Sequence, residues 1–423
     1  MRTAVGLAVL ALGGLMGLVG ATSQKEAAPK LPKPKHHDSL IVHEWGTFTN
    51  FSGSDGIQLE FRPLVDQELP PFVYDRWRFS SGPFTKGRLV ARQRMETPVT
   101  YFYTAMPRDV RVKVDFPRGL LTEFYPPAND MTPAYSPGDD KLSNSSLTWR
   151  ARLHPQAEFA RISGITDGPP QLPAVGDGDH YAEARDTDSA VVEVSGSYSF
   201  KHAEKFLFYR GVGNFSLPLR LEALPDRRFR LANDGPEPVE SLFMVTIDAD
   251  GLRFCQQPEV AAAGVAELTV PDQLATADEL GDRLAEALVA TGLYEKEARA
   301  MVRTWQSSWF NEPGARLFYL VPRRLTDEII PLTVDPAPDE VVRVLVGRME
   351  VLTPEKGDRL RRTIDSLGTC LSIEAEPLRS ELDALGRFAE PALASLRDQT
   401  DDRALREAIG RVQISLSRKL RAD

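Results

Sequence analysis

The chain has 423 residues, 42% of them hydrophobic and 26% charged, an ordinary globular composition with length for two or three domains. Its 51 basic and 60 acidic side chains give a net charge of −9. A surface that acidic has no general attraction to phosphate backbones, so nucleic acid is not an expected partner.

Residues 1–21 read as an address. Arg2 precedes an apolar run from Ala4 to Val19 that closes on Val19-Gly20-Ala21, the pattern of a secretory signal peptide. An uncleaved anchor is the rival reading, and Gly6, Gly13, Gly14 and Gly17 within the run disfavour it. No cysteine adjoins the cleavage point, and no later stretch approaches the roughly 20 apolar residues of a membrane helix. The expectation is an exported, periplasmic or extracellular protein with no stable membrane insertion after cleavage. Loss of Arg2 leaves 50 basic against 60 acidic side chains, a net charge of −10. Residues 22–39, with Pro29, Pro32 and Pro34 among lysines, have no hydrophobic periodicity and read as a disordered spacer.

From Leu40 to about Gln256 the pattern is period 2, broken by Pro, Gly, Asn and Asp. Val110, Val112, Val114 and Phe116 alternate with Arg111, Lys113 and Asp115; Leu147, Trp149, Ala151 and Leu153 alternate with Thr148, Arg150 and Arg152. Such strands have one dry and one wet face. Further strands are expected at 190–194, 206–210, 217–221, 229–231, 242–247 and 252–255, with Asp248-Ala249-Asp250-Gly251 as the turn between the last two. Residues 40–270 are thus predicted to form a β-rich, sandwich-like domain.

The period changes near Pro271. Thr276 and Glu279 form a capping box, Leu280, Leu284 and Leu288 share a helix face, and Gly292 ends the helix. A second helix follows over 294–310, then strands at 317–321 and 341–351 around a short helix and the loop Pro331 to Pro338. Residues 271–353 therefore read as an α+β unit packed on the β domain, since two strands and three helices make a thin core alone. From Pro354 to 423 the period is helical: Leu360, Ile364 and Leu367, then Leu378, Leu382 and Leu385, then Leu405, Ile409 and Val412. The run from Leu385 to Leu393, with Asp401-Asp402 and a further helix, resembles one HEAT-type repeat, fewer than the three a stack needs. The fold class expected is α+β: an antiparallel β-sandwich-like body, an α+β companion unit and a helical C-terminal tail.

The most distinctive segment is Ile41-Val42-His43-Glu44-Trp45-Gly46-Thr47-Phe48-Thr49, followed by Gly53-Ser54-Asp55-Gly56. It resembles the His-Glu-Trp-Gly-Thr-Phe-Thr signature of a family of uncharacterised exported bacterial proteins. The likeness continues through Arg94-Met95-Glu96-Thr97-Pro98-Val99, Phe208-Tyr209-Arg210-Gly211, Thr304-Trp305 with Ser308-Trp309-Phe310, and Val346-Gly347-Arg348. What the resemblance implies is export and one unit up to about Pro354; it implies no reaction.

His43 beside Glu44 is the first candidate for metal or acid–base chemistry. On a strand, however, His43 lies with Ile41 and Trp45 on one face and Glu44 with Val42 and Phe48 on the other, which favours a structural role. The acidic loop Asp177-Gly178-Asp179-His180, with Glu183, Asp186 and Asp188 following, offers oxygen ligands for a hard cation, but its spacing fits no calcium-loop template and a solvated loop is favoured. His202 with Glu204 is a similar weak pair, His154 shares its face with Arg150 and Arg152, and His36 and His37 fall in the spacer. The metal candidates are then His43, Asp177, Asp179 and His180, and no cofactor is named.

There is no Gly-x-Ser-x-Gly elbow, phosphate-binding glycine loop, His-Glu-x-x-His or Cys-x-x-Cys. Tyr101 with Tyr103, and Trp305 with Trp309, are either sugar-stacking platforms or core. Ala298, Met301 and Val302 extend the tryptophan face, which argues for core there. Arg94, Glu96 and Arg210 sit in apolar segments and must pair, so they are expected to form a buried polar network with Glu44. His43, Glu44, Glu96 and Arg210 are accordingly the catalytic candidates. Cys255 and Cys370 either pair, closing a loop of about 115 residues that is worth about 4–5 kcal/mol, or stay as separate buried thiols. The leading functional expectation is a binding or structural module for a surface polymer or envelope protein; the alternative is a metal-assisted hydrolase near His43 and Glu44.

Overall fold

A computed structural model of the protein describes residues 39–62, 69–76, 89–134, 142–156, 171–176, 179–195 and 201–419. The expected signal peptide, the spacer up to residue 38 and Asp177 lie outside them. The chain is α+β, with a β-rich body and a helical C-terminus.

A ten-stranded sheet organises the body. Its order is Gly251–Val260, Val239–Asp248, Gly314–Leu320, Glu340–Val351, Leu40–Ser52, Gln93–Thr104, Leu207–Gly213, Gly119–Tyr125 and Tyr74–Asp75, with Gln58–Leu59 added beside Leu40–Ser52. Every pairing is antiparallel except the central one: Leu40–Ser52 runs parallel to Glu340–Val351, with Ile41 opposite Glu340 and Ser52 opposite Val351. The two strands expected within residues 271–353 are thus strands of this sheet, and sheet continuity runs through residue 270.

Both faces of the large sheet are covered. One packs against a six-stranded sheet, in which Arg108–Phe116 pairs with Ser145–His154, and a three-stranded sheet of Leu219–Leu224, Arg228–Asn233 and Val265–Thr269. The intervening core joins Leu40, Val42, Phe48, Phe102 and Tyr209 to Val112, Val114, Trp149, Val192, Leu221 and Phe229. In the outer sheets alternation is visible: Val110, Val112 and Val114 are buried while Asp109 and Arg111 are exposed. The other face of the large sheet carries the helices Ala277–Ala290 and Glu295–Phe310, whose Leu280, Leu284, Leu288, Ala298, Met301, Trp305 and Trp309 meet Trp45, Val99, Phe208, Phe243 and Val344. Thr276 caps the first of these helices by accepting from the Glu279 N–H at 3.1 Å, and Gly292, at φ +106°, turns the chain after it.

Covered on both sides, Leu40–Ser52 is buried over its whole length and loses the wet-and-dry alternation. Its polar side chains therefore depend on partners inside the protein, which His43 Nδ1, Glu44 and Thr49 find and which Thr47 Oγ1 and Asn50 Oδ1 do not find among the described residues. The tail helices Pro354–Leu367, Glu376–Leu385, Ala389–Gln399 and Arg403–Lys419 form a third core that takes in Phe51, Leu59, Phe61 and Leu352 of the body. Phe388 meets Phe51 edge-on, ring centres 5.1 Å apart.

The cysteines do not pair, and neither is the buried thiol of the second reading. Cys255 lies half-buried on the edge strand of the large sheet, Cys370 lies exposed beyond helix Pro354–Leu367, and both are free thiols.

Candidate functional site

The strand alternation places His43 and Glu44 on opposite faces of the large sheet. His43 points to the helices, where Nδ1 is 2.7 Å from Glu297 Oε2. Glu297 is itself held by the Tyr103 hydroxyl at 2.7 Å and the Tyr294 N–H at 2.8 Å, and the Tyr294 ring lies 4.4 Å from the imidazole. His43 Nε2 is buried and has no hydrogen-bond partner among the described residues. Burial and the nearby Glu297 carboxylate push the Tyr101 and Tyr103 hydroxyls well above the usual phenol range.

Glu44 points into the sandwich. Its Oε2 accepts from Arg343 Nε at 2.7 Å and lies 2.6 Å from Arg343 Nη2; its Oε1 accepts from Tyr209 at 2.5 Å and Thr100 at 3.1 Å. Arg343 goes on to Asp327 at 2.7 Å and the Ile330 carbonyl at 2.7 Å. Every acceptor site of this buried carboxylate is thereby used by the chain itself.

Arg94, Glu96 and Arg210 do come together, on the helix-facing side of the sheet. Glu96 accepts from Thr49 at 2.6 Å and lies 3.2 Å from Arg94 Nε. Burial pulls the Glu96 carboxyl upward, but the combined field of Arg94, Arg348, Arg387 and Arg210 outweighs it and holds the group down at about 2. The same network contains Arg348 and Arg316 around Glu350, with Glu312 bridging Arg348 to Arg387 of the tail. Glu44 is not part of it: the pleat sends Glu44 to the other face, and the single network expected from the sequence is two.

The acidic loop is likewise engaged with its own protein. Asp179 caps the short helix His180–Glu183 by accepting from the Tyr181 N–H, and His180 lies 3.8 Å from Asp179. Glu183 and Asp186 pair with Arg303, both at 2.7 Å, and Asp188 with Lys296 at 2.6 Å. Glu204 takes a two-pronged contact from Arg185, at 2.9 and 2.7 Å, rather than pairing with His202. No group of three or more His, Cys, Asp or Glu side chains is arranged to hold a metal among the described residues. The aromatic candidates are internal too: Trp305 and Trp309 stack with ring centres 6.3 Å apart in the helix-side core, and Tyr101 donates to the Ala184 carbonyl at 2.7 Å.

One of the openings among the described residues is a slot in the large sheet; another, of about 590 Å³, lies between Leu224, Arg227, Pro271 and Glu355. Gly314–Leu320 is shorter than the strands flanking it: its ladder with Glu340–Val351 stops at Leu320 opposite Val346, and its ladder with Val239–Asp248 stops at Phe318 opposite Phe243. Val321 adds one more bond, its N–H to the Leu345 carbonyl at 2.8 Å, and Pro322, which cannot continue a central strand, then diverts the chain into the helix Arg323–Ile329. Beyond that point both neighbouring strands run on, and no strand among the described residues lies between them. The resulting groove has a volume of about 470 Å³ and is walled by Pro238 and Glu240 on one side and Val341 to Val344 on the other, with Val321 at its closed end.

Glu297, Arg343, Arg316 and Glu350 join these clusters without belonging to any motif of the sequence. The last three were within reach of the argument applied to Arg94, since each is a charge inside an apolar strand. Glu297 carries no such signal, because it looks like one more polar residue in the first turn of a helix.

No family model and no curated protein matches the sequence. Among solved structures, the chain is similar to the Fcho1 Mu homology domain of Danio rerio with bound Eps15 peptide, at 7% identity and TM-score 0.30, over 74% of this chain and 97% of that one. It is also similar to the yeast delta-COP-I mu-homology domain complexed with a Dsl1 WxWxV peptide, at 7% identity and TM-score 0.25, over 76% of this chain and 98% of that one. Likenesses this distant carry no argument about what the chain does.

Proposed function

We propose that this protein is an exported, non-catalytic module that binds or braces a partner of the bacterial envelope, either a protein or a surface polymer. One observation carries the reading: the groove at the end of the large sheet stands open, whereas His43, Glu44 and Glu96 are buried in bonds to their own chain. Its volume falls in the range of small-ligand and short-segment sites. The rival hydrolase, built on His43 or Glu44, has no comparable support, since neither carboxylate of the two clusters nor the imidazole meets solvent.

The test combines fractionation with sedimentation. The expected result is processed protein, cleaved near Ala21, in the periplasmic or culture fraction, and saturable co-sedimentation of the purified mature chain with isolated cell-wall polymer or envelope vesicles. Intact precursor confined to the cytosol, or absence of binding to every envelope fraction, overturns the proposal.

A further inference from the structure

We infer that the groove is a strand-addition site, and that its occupant is an extended, apolar polypeptide segment of a partner protein carrying a basic side chain. The inference rests on the binding-module reading and names the partner's chemistry. Its basis is main-chain geometry. The register of Gly314–Leu320 on Glu340–Val351 pairs Leu320 with Val346, and the Val321 N–H bonds the Leu345 carbonyl. In an antiparallel ladder the bonded residues recur at every second position. The main-chain groups of Arg343 and Val341 therefore face the groove, while those of the residues between them serve the parallel ladder with Leu40–Ser52. Among the described residues no strand pairs with them on the groove side; the Val341 carbonyl is met instead by the guanidinium of Arg323 at 3.0 Å. A row of edge groups of this kind is what strand addition uses for affinity, with flanking pockets reading alternate side chains.

The walls set the rest of the ligand's chemistry. Val342 and Val344 face the helix side of the groove and Val321 and Val341 the sandwich side, so both sets of alternate side chains meet apolar surface. The rim is acidic. Glu240 is exposed and pairs with no cation among the described residues, Glu237 is partly exposed and lies 3.4 Å from Arg324, and the cations nearby are already matched: Arg323 by Asp327 at 2.8 Å, Arg324 also by Glu328 at 3.1 Å, and Arg343 by Glu44 and Asp327. A basic residue on the incoming segment answers that surplus, steering encounter and selecting against acidic segments.

The test uses three fluorescent seven-residue peptides of alternating valine and threonine that differ only in one end residue, lysine, threonine or glutamate, titrated against the full mature chain by anisotropy. The lysine peptide is expected to bind tightest and the glutamate peptide weakest. Methylating its alternate backbone amides on the edge facing Val341 and Arg343 should weaken binding about tenfold or more, and methylating the other set should not, because only the first removes ladder donors. Glu237→Lys combined with Glu240→Lys, both outside the core, should invert the preference towards the glutamate peptide. Failure of all three peptides to bind, equal effects of the two methylation patterns, or a preference indifferent to the charge reversal would each overturn the assignment. Envelope co-sedimentation that persists in any of those cases leaves the broader binding reading standing.

Discussion

Replacing Glu44 by Gln removes the charge that balances Arg343 while keeping the shape of the side chain. Glu44 is fully buried and accepts from Arg343, Tyr209 and Thr100, so the amide must turn its NH2 toward one of these donors and leave it unmatched. Breaking a buried ion pair from one side costs roughly 3–5 kcal/mol, because the remaining charge stays in a medium that solvates it poorly. Asp327, half-exposed on the far side of Arg343, offsets part of this, which favours the lower end. With an unfolding entropy of about 2.1 cal/mol/K per residue over the roughly 310 residues of the body, 3–5 kcal/mol corresponds to a fall in Tm of about 5–8 °C. Thermal unfolding followed by far-UV circular dichroism measures it. The double replacement Glu44→Met with Arg343→Met removes both charges and should recover most of the loss, as apolar substitution of a buried pair often does. A Glu44→Gln protein melting within about 1 °C of the parent would refute the reasoning, since Arg343 would then not depend on Glu44 for its burial.

Four further outcomes follow from the same geometry. Glu96 titrates at about 2 in the folded protein against 4.5 unfolded, so its contribution to stability is complete above pH 4.5 and is lost as pH falls towards 2; Glu96→Gln should flatten the dependence of Tm on pH across that window, and an unchanged slope would contradict the arginine field around it. Gly347→Ala would drive a methyl into the ring of buried Tyr319 beneath it, costing about 1–3 kcal/mol by overpacking, measurable by urea unfolding. Native alkylation should label Cys370 rapidly and Cys255 slowly, with no mobility change on reduction; a disulfide-linked band within the monomer would contradict the separation of the two thiols. Removing residues 354–423 should uncover Phe51, Phe61 and Leu352 and yield a protein that binds hydrophobic dye and self-associates, as seen by light scattering.

Much of the fold was legible, and the illegible part has a definite cause. The outer sheets read directly because one face is wet: Val110 to Phe116 and Trp149 to Leu153 alternate as their burial does, while Thr148, expected on the wet face, is buried where Asp130–Thr132 adds to the sheet. The opposite facing of His43 and Glu44 was readable for the same reason, as the pleat has period 2 whatever the strand's neighbours are. Partnership was not readable. Period 2 says which way a side chain points and nothing about which strand lies alongside, so the union of residues 40–52 with 340–351 left no trace in either segment. Burial on both faces further hid the polar residues' fates: Glu44 and Glu96 look alike in the sequence, but the bulge between Trp45 and Thr47 and the left-handed Thr97, at φ +42°, place them in separate networks. The groove was invisible because it is made by a strand that ends early, which shows only once the lengths of its neighbours are known.

That central parallel pairing also sets an order of events during biosynthesis. Leu40–Ser52 leaves the ribosome and finds its carboxy-proximal neighbour only after some 299 further residues have emerged. Until then one long edge of Leu40–Ser52 is without its partner, and contacts so distant along the chain are slow to close. Nascent chains of this protein should consequently be unusually dependent on holding chaperones, and truncations anywhere before Val351 should be degraded rather than accumulate as shorter folded fragments.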